Sequence, residues 1–202
     1  SEGSSETSNV KIYVVPDSQV VSSTSSYFGY QGTDQNEVLR GNGGYYGIQD
    51  KGGDDFVIGT GGDNKFYLGS GSDFVFGGEG RDTVITTGSS SGAHVDLVLG
   101  KVDLENDGLF EDTIINIEDI IGSGHSDILK GDDDKNDIEG GEGDDLIYGQ
   151  AGNDTLEGGE GNDTIYGGDG NDRISSHEFY TYNHSYNGQN LIYGGNGNDR
   201  IY

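Results

Sequence analysis

Residues 122–175 read GSGHSDILK GDDDKNDIE GGEGDDLIY GQAGNDTLE GGEGNDTIY GGDGNDRIS. Cut into nines, every copy opens on glycine, carries Asp or Asn at position six and an apolar residue at position eight. The apolar residues are Leu129, Ile138, Ile147, Leu156, Ile165 and Ile174. Working outward, residues 32–85 fall into the same frame: GTDQNEVLR GNGGYYGIQ DKGGDDFVI GTGGDNKFY LGSGSDFVF GGEGRDTVI. Position eight there is Leu39, Ile48, Val57, Phe66, Val75 and Val84. A last copy, GGNGNDRIY, fills residues 194–202. With 30% of the chain hydrophobic, twelve apolar residues at one position arise by chance about once in a million registers, so the period is a structural signal.

Each position has a physical task. Positions one to six form a turn, where glycine permits positive φ and close backbone approach. Positions seven to nine form a short strand whose middle residue points inward, as period-two alternation requires. Two nonapeptides make one coil, with a strand on each side and a turn at each end. The expectation is an all-β chain, a right-handed parallel β-roll, in which turns one coil apart stack at about 4.8 Å. Stacking brings position-six side chains together: Asp55 with Asp73, Asp127 with Asp145, Asp145 with Asp163, Asp154 with Asp172. Asn64 with Asp82 and Asn136 with Asp154 are mixed pairs, while Asn190 and Asp199 hold the same position near the end. Backbone carbonyls of the turns face the same gaps, at Gly78, Gly80, Gly141, Gly143, Gly152, Gly159, Gly161, Gly168 and Gly170. About six oxygen ligands in one place make a Ca²⁺ site, so several bound Ca²⁺ ions are expected. Glu37 and Tyr46 occupy position six in the first two copies, which predicts poor sites there.

Composition points the same way. The 202 residues contain 39 glycines, 37 Asp and Glu against 10 Lys and Arg, and a formal charge of −27. So much acid needs a hard counter-cation. It excludes nucleic acid, which needs a basic face, and it repels anionic membranes. No stretch is apolar enough to span a bilayer. There is no cysteine, so no disulfide fixes the fold. A calcium site with Kd near 10⁻⁴ M adds about 1.4 kcal/mol at ~1 mM Ca²⁺ and almost nothing at cytosolic levels. The repeats are therefore expected to be unfolded inside a cell and folded outside it.

The nonapeptides resemble the RTX repeats of secreted, haemolysin-type bacterial proteins. That resemblance implies the calcium link, export by type I secretion machinery, and a secreted or cell-surface location. Repeats broken by longer β-rich insertions, with a degenerate block first, are most similar to the C-terminal part of RTX cytolysins. The implied parent is a toxin with a host-cell receptor or glycan as partner. A surface adhesin and a secreted exoenzyme carrying this module are the alternatives.

Between the blocks the reading is coarser. Residues 1–31 hold a strand-like run at 11–15 and an apolar pair, Val20 and Val21, and read as a cap or the tail of an upstream domain. Residues 86–121 are an insertion in which VDLVLGKVDL (95–104) predicts a hairpin. TIINIEDIIGS (113–123) leads back into register with Ile120 at position eight, which predicts one continuous roll with a decorated middle. DLENDG (103–108) starts like an EF-hand loop, but Ile114 stands where the bidentate Glu is needed, so a solvated acidic turn is expected. Residues 176–193, with SHEFYTYNHSYNG at 176–188, read as a bulging loop, or an aromatic contact site, running into a degenerate repeat, SYNGQNLIY (185–193), that restores the frame, and 194–202 starts a further repeat.

The chain is not expected to be an enzyme. His94, His125, His177 and His184 are scattered, and Thr181 stands where a helical zinc-protease motif needs its second histidine. No nucleophile elbow or phosphate loop is present.

Overall fold

The computed structural model describes residues 20–21, 31–41, 47–176 and 188–202. Every regular element among them is a strand. The first part of the chain contributes β1 (Val20–Val21), β2 (Val38–Arg40), β3 (Gly47–Gln49), β4 (Phe56–Ile58), β5 (Lys65–Tyr67), β6 (Phe74–Phe76) and β7 (Thr83–Ile85). The middle adds β8 (His94–Asp96), β9 (Lys101–Asp103), β10 (Asp112–Ile115) and β11 (Asp119–Ile121). The last part adds β12 (Ile128–Lys130), β13 (Asp137–Glu142), β14 (Leu146–Ala151), β15 (Thr155–Glu160), β16 (Thr164–Asp169), β17 (Arg173–Ser175), β18 (Leu191–Asn196) and β19 (Arg200–Ile201).

Successive strands alternate between two walls. One wall runs β1-β2-β4-β6-β10-β9-β8-β12-β14-β16-β18, the other β3-β5-β7-β11-β13-β15-β17-β19. Repeat pairs are parallel and in register at position eight, as in Val57 beside Val75 and Ile147 beside Ile165. This is the parallel β-roll the periodicity predicts. All twelve position-eight residues of the two blocks are at most 2% exposed and belong to one core cluster. Each strand is short, so the inward residue of each coil stacks on that of the next, and the core is a column one residue wide per wall.

The roll runs on through the middle, where both walls stay connected. The hairpin of β8 and β9 forms where the sequence predicts it, but it does not hang outside the structure. It is spliced into one wall. There β10 pairs with β6 in parallel, β9 pairs antiparallel with both β10 and β8, and β8 pairs in parallel with β12. On the opposite wall β11 bridges β7 to β13 directly. The first wall thus carries two rungs more than the second over this stretch, about 10 Å at ordinary strand spacing. The physical reason is burial: Val95 and Val102 are fully buried and Ile114 nearly so, continuing the inward column. A hairpin projecting into solvent would expose these residues and two unpaired edges. Arg81 braces the junction on the other wall, with its guanidinium on Asp119.

At the N-terminal side β1 adds to the edge of β2, Val20 opposite Val38. The strand-like run at 11–15 lies outside the described residues, as do Tyr46, His177, His184 and most of the aromatic loop. After that loop the register recovers, with Ile192 beside Ile165.

Candidate metal centre

The turns are built by position six. From Asp55 to Asp82 and from Asp127 to Asp172 its side chain is buried, and in most of these turns one oxygen accepts a hydrogen bond from the backbone N–H of position six one coil earlier. Asp145 accepts from Asp127 N–H at 2.9 Å, Asp163 from Asp145 at 3.1 Å, Asp154 from Asn136 at 2.9 Å and Asp172 from Asp154 at 2.9 Å. Asp73 accepts from Asp55 at 2.8 Å and Asp82 from Asn64 at 2.7 Å. Past the aromatic loop, Asn190 accepts from Asp163 N–H at 2.7 Å and Asp199 from Asp172 N–H at 3.0 Å. The side chains named from spacing are therefore brought together, each linked to the next through a backbone N–H.

The second oxygen of each carboxylate is the chemically interesting one. Oδ2 of Asp55, Asp73, Asp82, Asp145, Asp154, Asp163 and Asp172 is buried and has no hydrogen-bond partner. A buried, unpartnered carboxylate oxygen is costly. Burial accordingly pushes Asp55, Asp145 and Asp154 up to about 7 from an ordinary 3.8, against the opposing pull of the backbone N–H. Asp73, Asp82, Asp127, Asp163 and Asp172 are raised for the same first reason. A divalent cation is the group that removes both penalties together.

The glycines complete the cradle. All nine turn glycines singled out in the sequence have positive φ, from 102° at Gly159 to 148° at Gly170. A Cβ on Gly161 would lie 1.9 Å from the carbonyl oxygen of Gly143, in the turn one coil earlier. At Gly168 the corresponding oxygen is that of Gln150, at 1.8 Å. Carbonyls and carboxylates thus converge on gaps that no side chain can enter, and hard oxygen donors of this kind fit Ca²⁺.

The predicted residues are not equivalent. Asp127 is satisfied: Ser123 donates its N–H and its hydroxyl to the carboxylate, and Ala93 N–H donates to Oδ1. Asn136 is also fully engaged, accepting from Asp132 N–H and donating to the Glu118 carbonyl and to Asp132. Asn64 donates to Asp82 and to turn carbonyls. Glu37 closes its own turn through Thr33. In the acidic loop Asp103 is fully buried and accepts from the N–H groups of Glu105, Asp107 and Gly108. Its oxygens are occupied by the backbone. The rest of the turn, residues 105–109, is exposed, so the loop is a solvated acidic turn anchored by one buried aspartate.

Three residues escaped the reading of the sequence. Asp112 accepts from Asp73 N–H and Glu118 from Asp82 N–H, so they extend the position-six ladders through the middle coil. The signal was available: Ile114 and Ile120 are inward residues, and position six lies two residues before each. The third, Asp50, sits at position one in place of glycine.

A family model described as RTX calcium-binding nonapeptide repeat matches the chain in four copies, over residues 51–84, 121–156, 148–178 and 184–202, together more than half of its length. No curated protein matches the chain.

Proposed function

The chain belongs to the RTX calcium-binding nonapeptide repeat family and is a calcium-binding repeat domain, and from that premise we propose that calcium switches its folding on after export, as the repeat module of a secreted cytolysin. The observation that carries the switch is the set of seven buried Oδ2 atoms without a partner. Folding without a cation must bury these oxygens either charged and bare or protonated. A bound divalent ion supplies the missing positive charge. The chain's own residues do the rest: Oδ1 of each aspartate holds its turn to the previous coil, Oδ2 is left aimed at the gap, and glycine lets the carbonyls close in.

Because the sites exist only in the folded chain, binding free energy is folding free energy. At millimolar calcium outside the cell the roll is stabilised, and at sub-micromolar calcium inside it is not. An unfolded chain suits passage through the narrow type I exporter that family membership suggests. The domain carries no catalytic step in this reading, and its task in the parent toxin is receptor or glycan engagement and secretion.

The test is circular dichroism on the chain dialysed into excess chelator, then titrated with Ca²⁺ and, separately, Mg²⁺. The expected result is a cooperative gain of β signal with calcium and little with magnesium, which demands a tighter octahedron. A full β signal in chelator at neutral pH sinks the switch. Adding the parent protein to erythrocytes in buffer with millimolar Ca²⁺ and in buffer with chelator tests the toxin role, which fails if no lysis occurs with Ca²⁺.

A further inference from the structure

In eleven of the thirteen nonapeptides cut above, position one is glycine, and the structure shows what that position faces. A Cβ on Gly140 would lie 2.3 Å from Oδ2 of Asp145, on Gly158 2.3 Å from Oδ2 of Asp163, and on Gly167 2.6 Å from Oδ2 of Asp172. Position one therefore points at the unpartnered oxygen of its own repeat. Two repeats put a side chain there. Leu68 fills the space with hydrocarbon and is 5% exposed. Asp50 fills it with a third carboxylate.

Asp50, Asp55 and Asp73 each bring one carboxylate oxygen to within 4.8 Å of the other two. Twice a Ca–O distance of about 2.4 Å spans that separation, so one ion can touch all three. A cluster of acids alone would mean little. Here Oδ1 of Asp50, Oδ2 of Asp55 and Oδ2 of Asp73 are all buried without a hydrogen-bond partner, and the residues are 1%, 3% and 3% exposed. Among the described residues, the ion pairs of Arg81, Lys130 and Lys135 lie away from this group. Burial and the Asp73 charge push Asp50 up to about 8. Asp112, whose Oδ1 accepts from Asp73 N–H at 2.9 Å, adds a fourth buried acid next to the group.

We infer that Asp50 supplies a third carboxylate to the Ca²⁺ held between Asp55 and Asp73, so that this gap differs in composition from the other position-six gaps because one of its ligands comes from position one. The inference rests on the reading that the turn carboxylates bind calcium, and it assigns the degenerate first block its own highly charged centre. Three carboxylates on one ion give this site more ligand charge than a gap served by two, and ligand charge raises affinity. The first block then gains its first ion at lower calcium than its remaining turns, which makes residues 50–73 a starting point for its folding.

The experiment counts ions and reads affinities by flow dialysis of the full chain with radiolabelled Ca²⁺, for wild type, Asp50→Gly, Asp50→Asn and Asp145→Ala. Asp50→Gly restores the glycine found at this position elsewhere and is expected to fold in saturating calcium, checked by circular dichroism. Asp50→Asn keeps the volume and covers the case in which glycine disturbs the turn. The expected result is an unchanged ion count with the tightest site weakened about tenfold in both Asp50→Gly and Asp50→Asn, because the Asp55 and Asp73 pair still holds its ion without the third carboxylate. Unchanged stoichiometry and affinity in both variants, with ions lost in Asp145→Ala, overturns this site and leaves the calcium reading standing. Tighter binding by Asp50→Asn also overturns it, showing that Asp50 shares a proton with Asp73 instead. Absence of any bound calcium in wild type overturns both.

Discussion

The first block, residues 32–85, and the second, residues 122–175, share an inward column but not a turn. In the second block β13, β14, β15 and β16 are six residues long, because pairing continues past the inward residue into the glycines, as with Gly141 beside Gly159. In the first block β4, β5 and β6 stop after three residues. The turns that follow them open GTG, LGS and GGE, against GGE, GQA, GGE and GGD after β13 to β16. The column is equally buried in both. Core register and turn chemistry are thus separable. One apolar residue in nine is enough to wind the coil, while a continuous ladder through the turn also needs a matching turn one coil away, which β6 lacks beside β10 of the insertion.

The largest test of the comparison is calcium removal. Excess chelator at neutral pH is expected to abolish amide-exchange protection throughout the second block, whose column is no thicker than that of the first. Retained protection at Ile147 and Ile165 would show that the longer ladders hold without ions.

Next in size is a pair of substitutions. Asp145 accepts from Asp127 N–H and donates its own N–H to Asp163, between coils that carry aspartate on every side. Asp82 sits between Asn64 and Glu118. It is not the end of its ladder, as its place in the sequence suggests, but its neighbours are poorer ligands. Asp145→Ala should remove two sites, about 2.8 kcal/mol at ~1 mM Ca²⁺, and Asp82→Ala about half as much. The calcium midpoint by circular dichroism should move further for Asp145→Ala. An equal shift would show that position six is a poor guide to site strength.

Acid gives a third, smaller effect common to both blocks. Burial raises Asp55 in the first block and Asp145 and Asp154 in the second to about 7. A raised folded value means the folded chain holds the proton more tightly. Stabilisation by protonation is therefore complete below about 3.8, the unfolded value, and lost as pH climbs through 7. In chelator the chain should show more β signal at pH 5 than at pH 8. In calcium the midpoint should instead worsen on acidification, since protons and Ca²⁺ compete for the same oxygens. No pH dependence in chelator would mean the carboxylates are not buried in the metal-free chain.

The smallest effect concerns two non-glycine residues at position two. Lys51 in the first block has φ 73° and Gln150 in the second has φ 80°. Left-handed backbone strains an ordinary residue by about 1–2 kcal/mol, partly offset by the unfolded-state entropy that glycine adds. Gln150→Gly and Lys51→Gly should each stabilise the calcium-loaded chain by about 0.5–1 kcal/mol in thermal melts. A gain from Gln150→Gly alone would place the cooperative unit in the second block.

The sequence by itself determined the coil. A nine-residue period with one inward residue fixes which side chains are buried, that strands one coil apart are parallel, and that position-six carboxylates stack, because the pleat allows a single alternation and the turn a single length. It also placed Ile120 in register across the insertion. What it left undecided was where the odd-length segments go. The hairpin of β8 and β9 has the same inward valines whether it projects or is spliced, and only the requirement that its edges and its Val95 and Val102 be covered put it inside the wall. Asp50 was invisible for a related reason. Its meaning lies in the direction of a Cβ bond toward Asp55 and toward Asp73 one coil later, a direction set when the coils close on one another and not by any spacing along the chain.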